Sequence, residues 1–201
     1  MANEYLSKTK MNTNVEFWNT TWARRVKQLP IGGEYRYDLR QYQYDVVMNN
    51  IPERSKVFDY ACGLGIIVYQ LKTCKQCTVS GCDLSEVAIS YIKREMPDAD
   101  FRVTTEIFGN VYDIVLALHI IEHFEKPVEW MKNAFKFTHT IIVVIPSNFS
   151  KAGEHRNMQW SNLTEFEELF VGFNIKRVDI DKYPPKLHPA FKPPVFVFNK
   201  K

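Results

Sequence analysis

A short segment rich in small residues stands where the chain could approach a ligand closely. Residues 59–65 read Asp-Tyr-Ala-Cys-Gly-Leu-Gly, directly after an apolar stretch and before a helical pattern. Gly63 and Gly65 permit backbone conformations that other residues avoid, so the main chain there can pass close to a bound molecule. A tight strand-to-helix turn that binds nothing explains these residues equally well.

An acidic residue at the end of the next predicted strand favours a binding site over a turn that binds nothing. Asp83 follows the glycines by about twenty residues, the spacing at which a carboxylate accepts hydrogen bonds from ribose hydroxyls. The competing interpretation makes Asp83 a first-turn acid of a helix beside Ser85, a role that is compatible with ribose binding. The two strand ends together favour a site for a nucleoside.

These residues need a parallel sheet to bring them together. From residue 56 onward, short apolar runs alternate with helical patterns, which is typical of βαβ units. The predicted strands are 56–60, 77–82, 100–104, 111–118, 140–145, 173–180 and 195–198. The predicted helices are 14–28, 35–50, 64–73, 85–96, 127–137 and 163–170. Because no helix fits between the last two strands, we expect them to pair antiparallel.

The composition indicates one folded domain. The chain has 201 residues, 45% of them hydrophobic and 24% charged, which is enough to bury a core without disulfides or metals. A net charge of +3 without a basic stripe argues against nucleic acid as a partner. The sequence shows no signal peptide and no apolar run of bilayer length, so we expect a cytoplasmic protein without a membrane span.

The cysteines favour packing over chemistry. Cys74 and Cys77 form a CxxC pair, but no second pair follows to complete a zinc site, so zinc or redox chemistry is disfavoured. Cys62 and Cys82 stand at apolar strand ends, where a thiol serves as a small hydrophobic side chain.

Three separate blocks resemble the class I S-adenosylmethionine (SAM)-dependent methyltransferases, and the resemblance covers most of residues 56–180. Residues 57–65 resemble the glycine-rich first motif of that family, 81–89 the acidic second motif and 112–124 the fourth. The fourth block is the most specific, because its strand leads into Glu122-His123 before a helix. That pattern occurs in the branch that methylates small molecules, including ubiquinone-type O-methyltransferases and enzymes acting on glycan precursors.

The resemblance implies an α/β, Rossmann-like class I methyltransferase fold. Its sheet would be seven-stranded and mostly parallel, with an antiparallel last strand and additional N-terminal helices. We expect a single domain over residues 1–201, in which 1–52 form a helical lid or cap and 53–201 form the core. SAM would be the cofactor, S-adenosylhomocysteine (SAH) the product, and a small molecule the acceptor.

The sequence departs from the family in three places. Ala61 stands where the family usually has glycine, and Phe137-Thr138-His139 replaces a glycine-rich turn before the fifth strand. The acid that commonly meets the adenine amino group has no clear match in residues 102–106.

The family's cofactor roles transfer to matching positions. Asp59 would lie behind the methionine end, Asp83 would hold the ribose, and Leu118 and His119 would flank the sulfonium. Other residues would line the cofactor: Ala61, Gly63, Gly65 and Leu84. Arg40, which precedes the first strand, stands where some relatives bind the methionine carboxylate, and a solvated surface arginine is an equally good interpretation.

Three histidines are candidates for removing the acceptor's proton. Histidine titrates near neutrality, and His123, His119 and His155 each fall at the predicted cofactor edge of the sheet. His123 ranks first, although Glu122 and His123 could instead cap a helix or pair structurally. A divalent ion on Glu122 and His123 is disfavoured because no third ligand is identifiable.

The acceptor is expected to offer an oxygen or nitrogen, and sugar-linked and quinone-like molecules are the candidates. Residues 154–160 resemble the substrate-facing loop of such relatives. Methylation of RNA or protein, or a catalytically silent SAM-binding regulatory module, are the alternatives. The N-terminal aromatic residues Trp18, Trp22, Tyr35 and Tyr37 fit packing better than a lid.

Overall fold

The described residues form one seven-stranded sheet with helices on both faces. A computed structural model of the chain describes residues 14–28, 41–147, 158–178 and 193–201. The strands are β1 (Lys56–Tyr60), β2 (Thr78–Asp83), β3 (Asp100–Val103), β4 (Tyr112–Leu118), β5 (Thr138–Val144), β6 (Asn174–Arg177) and β7 (Val195–Asn199). Their spatial order is β3-β2-β1-β4-β5-β7-β6.

Six helices accompany these strands in the described part of the chain. They are α1 (Val15–Gln28), α2 (Gln41–Asn49), α3 (Ile66–Lys75), α4 (Glu86–Glu95), α5 (Pro127–Ala134) and α6 (Leu163–Leu169), and a short 3₁₀ turn covers Ile121–His123. No helix among the described residues is both long and apolar enough to cross a membrane.

The strand order reverses beside β1. Strand β1 pairs in parallel with β2 on one side and with β4 on the other. The chain continues from β1 to β2 and β3 on one side and then crosses to β4 on the other side. A parallel sheet binds ligands at the carboxyl ends of its strands next to such a reversal. Asp59, Asp83 and Leu118 all lie at or next to those ends.

Strand β7 gives the sheet its antiparallel character. It pairs antiparallel with β5 and with β6, as the missing helix between the last two strands predicted. The described β6 spans Asn174–Arg177, and residues 179 and 180 of the predicted strand lie outside the described ranges.

Predicted boundaries of α3, α5 and β5 are wrong by two or three residues. Helix α5 ends at Ala134 rather than Phe137, and β5 begins at Thr138 rather than Thr140. The physical reason is sheet pairing, since Thr138 stands opposite Tyr112 at the start of β4. Helix α3 begins at Ile66 instead of Leu64, because Gly65 adopts a left-handed conformation at φ 72°.

The hydrophobic core lies on both faces of the sheet. Side chains of α2, α3 and α4, such as Val46, Leu71 and Ile92, pack on one face. The opposite face is covered by α5 and α6 through Trp130 and Phe166. Helix α1 packs against α4, where Trp22 contacts a cluster of buried residues: Leu64, Ala88 and Tyr91.

Candidate active site

The loop after β1 makes a tight turn with three left-handed residues. Ala61, Gly63 and Gly65 have φ angles of 59°, 53° and 72°. The loop is held by two backbone hydrogen bonds of 2.9 Å, from Cys62 N to Cys82 O and from Gly65 N to Cys62 O. A side chain in this conformation costs about 1–2 kcal/mol, so Ala61 keeps a glycine-type turn at that cost.

Helix α1 lies directly on this loop. A Cβ atom at Gly63 would lie 2.6 Å from Cη2 of Trp22, a distance that real side chains do not adopt. The Trp22 ring therefore packs on the glycine loop and on α4. The sequence predicted packing against the sheet for this aromatic stripe, and the structure places the Trp22 contact on the loop instead.

Asp83 joins the ends of β1 and β2. Gly63 N donates to Asp83 Oδ2 over 2.9 Å, and Ser85 N donates to Asp83 Oδ1 over 2.9 Å. Burial raises the pKa of the Asp83 carboxyl, and these amides partly offset the effect. The Leu84 amide acts on the same carboxyl, and a carboxylate has about four lone-pair sites, so acceptor capacity remains after the three amides are counted.

Asp59 lies one strand away and is almost completely buried, at 2% exposure. Its pKa is raised well above the ordinary value, first by burial and then by the nearby charge of Asp83. The strands approach closely here, because a Cβ atom at Gly81 would lie 2.5 Å from the carbonyl oxygen of Asp59. Glycine is therefore required at position 81 for β1 and β2 to pair.

His119 directly follows β4 and therefore lies at the same carboxyl edge of the sheet as Asp59 and Asp83. His119 has a φ of 55°, and its backbone N donates to Val144 O over 2.8 Å. Its side chain is 27% exposed, with Nδ1 4.0 Å from Glu122 Oε1. Its Nε2 lies 2.6 Å from Oε1 of Gln43 on α2. A non-glycine residue with positive φ at a strand end is an unusual conformation that is concentrated at functional sites.

His123 is in a different environment. It lies in the 3₁₀ turn at 4% exposure, and Glu122 beside it is 1% exposed. The ring of Trp18 stands edge-on to the His123 ring at 5.8 Å between centroids. His123 is thus covered by α1, whereas His119 is accessible.

The edge between these strands remains partly open. Leu84, which follows β2, and Leu118, the last residue of β4, are half-buried, although the residue before each of them is buried. The segment 104–106 after β3 is also half-buried, and Thr104 N donates to Asp83 O over 3.1 Å. Leu84 and residues 104–106 are therefore half-buried neighbours of Asp83, and Leu118 lies two strands away at the same edge of the sheet.

Two predicted site residues lie outside the described residues, namely Arg40 and His155. The same holds for Tyr35, Tyr37 and residues 154–157 of the predicted substrate-facing loop. Within the described ranges, no group of three or more His, Cys, Asp or Glu side chains is arranged to hold a metal ion.

Sequence reasoning missed two residues of this region. Gln43 contacts His119 from 76 residues away, and no local pattern signals such a contact. Asn19 Oδ1 lies 2.6 Å from Ser85 Oγ and so connects α1 with the start of α4. The helical spacing of Trp18 and Trp22 indicated which face of α1 is buried, and Asn19 adjoins that face.

Comparison with solved structures supports the fold. A TehB-like SAM-dependent methyltransferase from Corynebacterium glutamicum is 21% identical, with a TM-score of 0.64 over 92% of this chain and 100% of that one. Magnesium protoporphyrin IX methyltransferase from Synechocystis PCC 6803, solved with bound SAM, is 15% identical, with a TM-score of 0.64 over 93% and 95%. The plantazolicin methyltransferase BpumL, solved with SAH and a desmethylPZN analogue, is 15% identical, with a TM-score of 0.63 over 92% and 91%.

Sequence comparison adds a family. No curated protein sequence matches the chain significantly. The family model described as methionine biosynthesis protein MetW matches residues 41–168, a region that contains the glycine loop, Asp83 and the end of β4. The chain therefore has the fold of the class I SAM-dependent methyltransferases and belongs to the MetW family.

Proposed function

We propose that the protein is a SAM-dependent methyltransferase that transfers a methyl group to an oxygen or nitrogen of a small molecule. The observation that carries this proposal is the hydrogen bond from Gly63 N to Asp83 Oδ2, at 2.9 Å. It joins a close-approach loop to a carboxylate with remaining acceptor capacity, at the point where the strand order reverses. That is the place where α/β sheets bind nucleosides.

The residues around this point fit an adenosyl group. Asp83 would accept from the ribose hydroxyls. Ala61, Gly63 and Gly65 would line the cofactor through their main chain, since the Cβ sides of the two glycines face Trp22 and Ile92. Leu84 and Leu118 offer half-buried apolar side chains at the same edge, which suits the flat and apolar parts of the nucleoside. Asp59 and Arg40 would serve the methionine end.

Bound SAM supplies an electrophilic methyl group on a sulfonium. The protein's tasks are then to align the acceptor and to take up one proton. His119 suits proton uptake better than His123, because its ring is 27% exposed while His123 is 4% exposed and packed against Trp18. We therefore place His119 first in this role, followed by His123 and then His155.

The proposed acceptors are sugar-linked or quinone-like small molecules. The fourth-motif resemblance supports this class, and one structural neighbour is named for magnesium protoporphyrin IX, a small molecule. Of residues 1–52, the α1 part would form a cap, because α1 contacts Gly63, Ser85 and His123. Helix α2 instead packs into the core through Val46.

A second candidate is a SAM-binding module without catalysis. The family description refers to methionine biosynthesis, and methionine is the amino-acid part of SAM. A protein that binds SAM and regulates methionine synthesis would need Asp83 and the glycine loop but no proton acceptor.

Calorimetry with SAM and SAH tests cofactor binding, which both candidate functions require. We expect binding of both by the wild type and at least a tenfold loss in Asp83→Ala, since a hydrogen bond to a charged group contributes about 1.5–3 kcal/mol. Asp98→Ala is the control, because Asp98 is exposed and pairs only with Lys72 in the described structure. Unchanged affinity in Asp83→Ala overturns the ribose assignment.

Turnover separates the two candidates. SAH formation is measured with hydroquinones, catechols and nucleotide-linked sugars as acceptors. Methyl transfer to one of them supports the enzyme, whereas SAM binding without SAH formation supports the regulatory module.

A further inference from the structure

The hydroxyl of Tyr60 reaches the segment that follows β3. Tyr60 is the last residue of β1 and is 4% exposed, and its hydroxyl donates to the carbonyl oxygen of Thr105 over 2.7 Å. Because β2 lies between β1 and β3 in the sheet, this bond spans a whole strand. Tyr60 therefore links the end of β1 to the connection between β3 and β4 at the carboxyl edge of the sheet.

Three hydrogen bonds hold residues 104–106 in place. Thr104 N donates to Asp83 O over 3.1 Å, and Glu106 N donates to Thr104 Oγ1 over 3.2 Å. The first bond ties the segment to the end of β2, and the second stabilises the turn within it. The bond from Tyr60 then fixes Thr105, the middle residue, relative to Asp83.

The Tyr60 side chain is a well-fixed donor. Its ring packs against Phe124 and Trp130, with ring centroids 6.0 and 5.0 Å away. Burial raises the pKa of the Tyr60 hydroxyl far above its ordinary value, so the hydroxyl keeps its proton near neutrality and donates it to the carbonyl oxygen. A phenylalanine ring would make the same ring contacts, so the hydroxyl can be removed without emptying this part of the core.

The base of a nucleoside bound at Asp83 would extend toward β3. Under the proposed function Asp83 accepts from the ribose hydroxyls, and Asp59 on β1 serves the methionine end. The base leaves the ribose at C1′ and the amino-acid chain leaves at C4′, on the two sides of the ring oxygen, so the two groups point in opposite directions along the sheet edge. Leu84 and residues 104–106, which are half-buried neighbours of Asp83, would then border the base.

Thr105 has the polar groups that adenine requires at this place. The Watson–Crick edge of adenine carries a donor beside an acceptor, namely the amino group on C6 and the ring nitrogen N1. The hydroxyl of Thr105 can accept, and its main-chain N–H can donate. These groups can discriminate between bases only if the segment is held at a fixed distance from the ribose, because hydrogen bonds weaken steeply with poor geometry.

We propose that Tyr60 is a positioning residue for cofactor recognition: its hydroxyl holds residues 104–106 against the amino-bearing edge of adenine and so sets the preference for adenine over other bases. This inference rests on the proposed binding of SAM. A hydroxyl that only stabilised the connection between β3 and β4 would leave the preference among bases unchanged. Base selectivity therefore separates the two roles of Tyr60.

Calorimetry with SAH and S-inosylhomocysteine measures this selectivity. The inosine analogue has an oxo group on C6 and a protonated N1, so it inverts the donor and the acceptor while the ribose and homocysteine stay the same. We expect the wild type to bind SAH about tenfold or more tightly than the analogue, because a site that hydrogen-bonds one ligand leaves polar groups unpaired with the other. Tyr60→Phe should reduce this preference to about threefold or less, mainly by weakening SAH binding.

Tyr112→Phe is the matched control. The Tyr112 hydroxyl donates to the carbonyl oxygen of Phe108 over 2.6 Å, so this variant loses the same kind of bond to the same connection between β3 and β4. Tyr112 is the first residue of β4 and so lies at the end of that strand away from the carboxyl edge. Its loss should leave the SAH affinity and the preference for adenine within about twofold of the wild type.

The outcomes separate this inference from the proposed function. Equal affinities of the wild type for the two ligands, an unchanged preference in Tyr60→Phe, or the same loss of preference in Tyr112→Phe overturns the role of Tyr60 while SAH binding stands. Absence of SAH binding in the wild type overturns the proposed function, and the inference with it.

Discussion

The indole of Trp22 packs against Gly63, close enough that a Cβ atom at position 63 would lie 2.6 Å from Cη2 of the ring. Helix α1 therefore packs directly on the glycine loop. Gly63 is needed both for the positive φ of the turn and for the space that the Trp22 ring occupies. Substitution at Gly63 must disturb both.

Gly63→Ala should destabilise the protein by about 1–3 kcal/mol, the cost of a side chain held at positive φ, with the clash against Trp22 added. Urea unfolding measures the change. Gly172→Ala is the matched control, because Gly172 has nothing within 4 Å of a built Cβ, and its stability should stay within about 0.5 kcal/mol. Equal stability of both variants would contradict the packed arrangement of α1.

His119→Asn should abolish most of the turnover while SAM affinity stays within about twofold. Asparagine tolerates the positive φ of position 119 but cannot take up a proton near neutrality, so the expected loss in kcat is about 10²–10⁴-fold. Turnover is measured as SAH formation, and SAM affinity is measured by calorimetry.

His123→Ala should affect stability more than turnover, in contrast to His119→Asn. His123 is buried beside Trp18, so its loss should lower the free energy of unfolding by about 1–3 kcal/mol and reduce kcat less than tenfold. A larger kcat loss in His123→Ala than in His119→Asn would reverse the ranking of the two histidines.

The fold was predictable from the sequence because its signals are local. The apolar run at 140–145 and the alternation from residue 56 predicted the strands, and the lack of a helix after β6 predicted the antiparallel β7. The strand-end positions of Asp59, Asp83 and His119 followed from the same pattern.

Long-range side-chain contacts were not predictable in this way. Gln43 and His119 are 76 residues apart, and Asn19 and Ser85 are 66 residues apart. Such pairs form only when α1 and α2 pack on the finished sheet, and no periodicity in either helix records the partner. The exposure of His119 relative to His123 also depends on where α1 lies, so the sequence alone could not show which of the two histidines is more accessible.

The buried pair Asp59 and Asp83 should make stability depend on pH. The pKa of Asp59 is raised in the folded protein, so the folded state binds more protons than the unfolded state from about pH 4 upward. Stability therefore falls as pH rises from about 4 through the folded-state pKa. The slope from this group is at most about 1.4 kcal/mol per pH unit.

Asp59→Asn removes the pH-dependent contribution of Asp59 to the free energy of unfolding. The variant should gain stability over the wild type as pH rises from about 4 to 8, measured by urea unfolding at several pH values. Ionisable groups that do not interact with Asp59 are common to both proteins and cancel in the difference, whereas Asp83 is coupled to Asp59 and contributes to the same pH dependence. A constant difference across this range would show that Asp59 is not protonated in the folded protein.

Ser85 supports two elements at once, and this predicts unequal effects of two substitutions. Its Oγ accepts from Ala88 N over 3.2 Å at the start of α4, and its hydroxyl donates to Asn19 Oδ1 on α1 over 2.6 Å. Ser85→Ala should cost about 2 kcal/mol, the sum of a lost cap and a lost hydrogen bond. Asn19→Ala removes the second bond alone and should cost about 1 kcal/mol.

A double-mutant cycle isolates the contact between the helices. Once Ser85 is alanine, Asn19→Ala should cost almost nothing further, because the bond it would break is already absent. Ser90→Ala, at an exposed position of α4, should stay within about 0.5 kcal/mol of the wild type. If Asn19→Ala costs the same in both backgrounds, α1 is not held at Ser85. The packing of α1 on the glycine loop would then need another anchor.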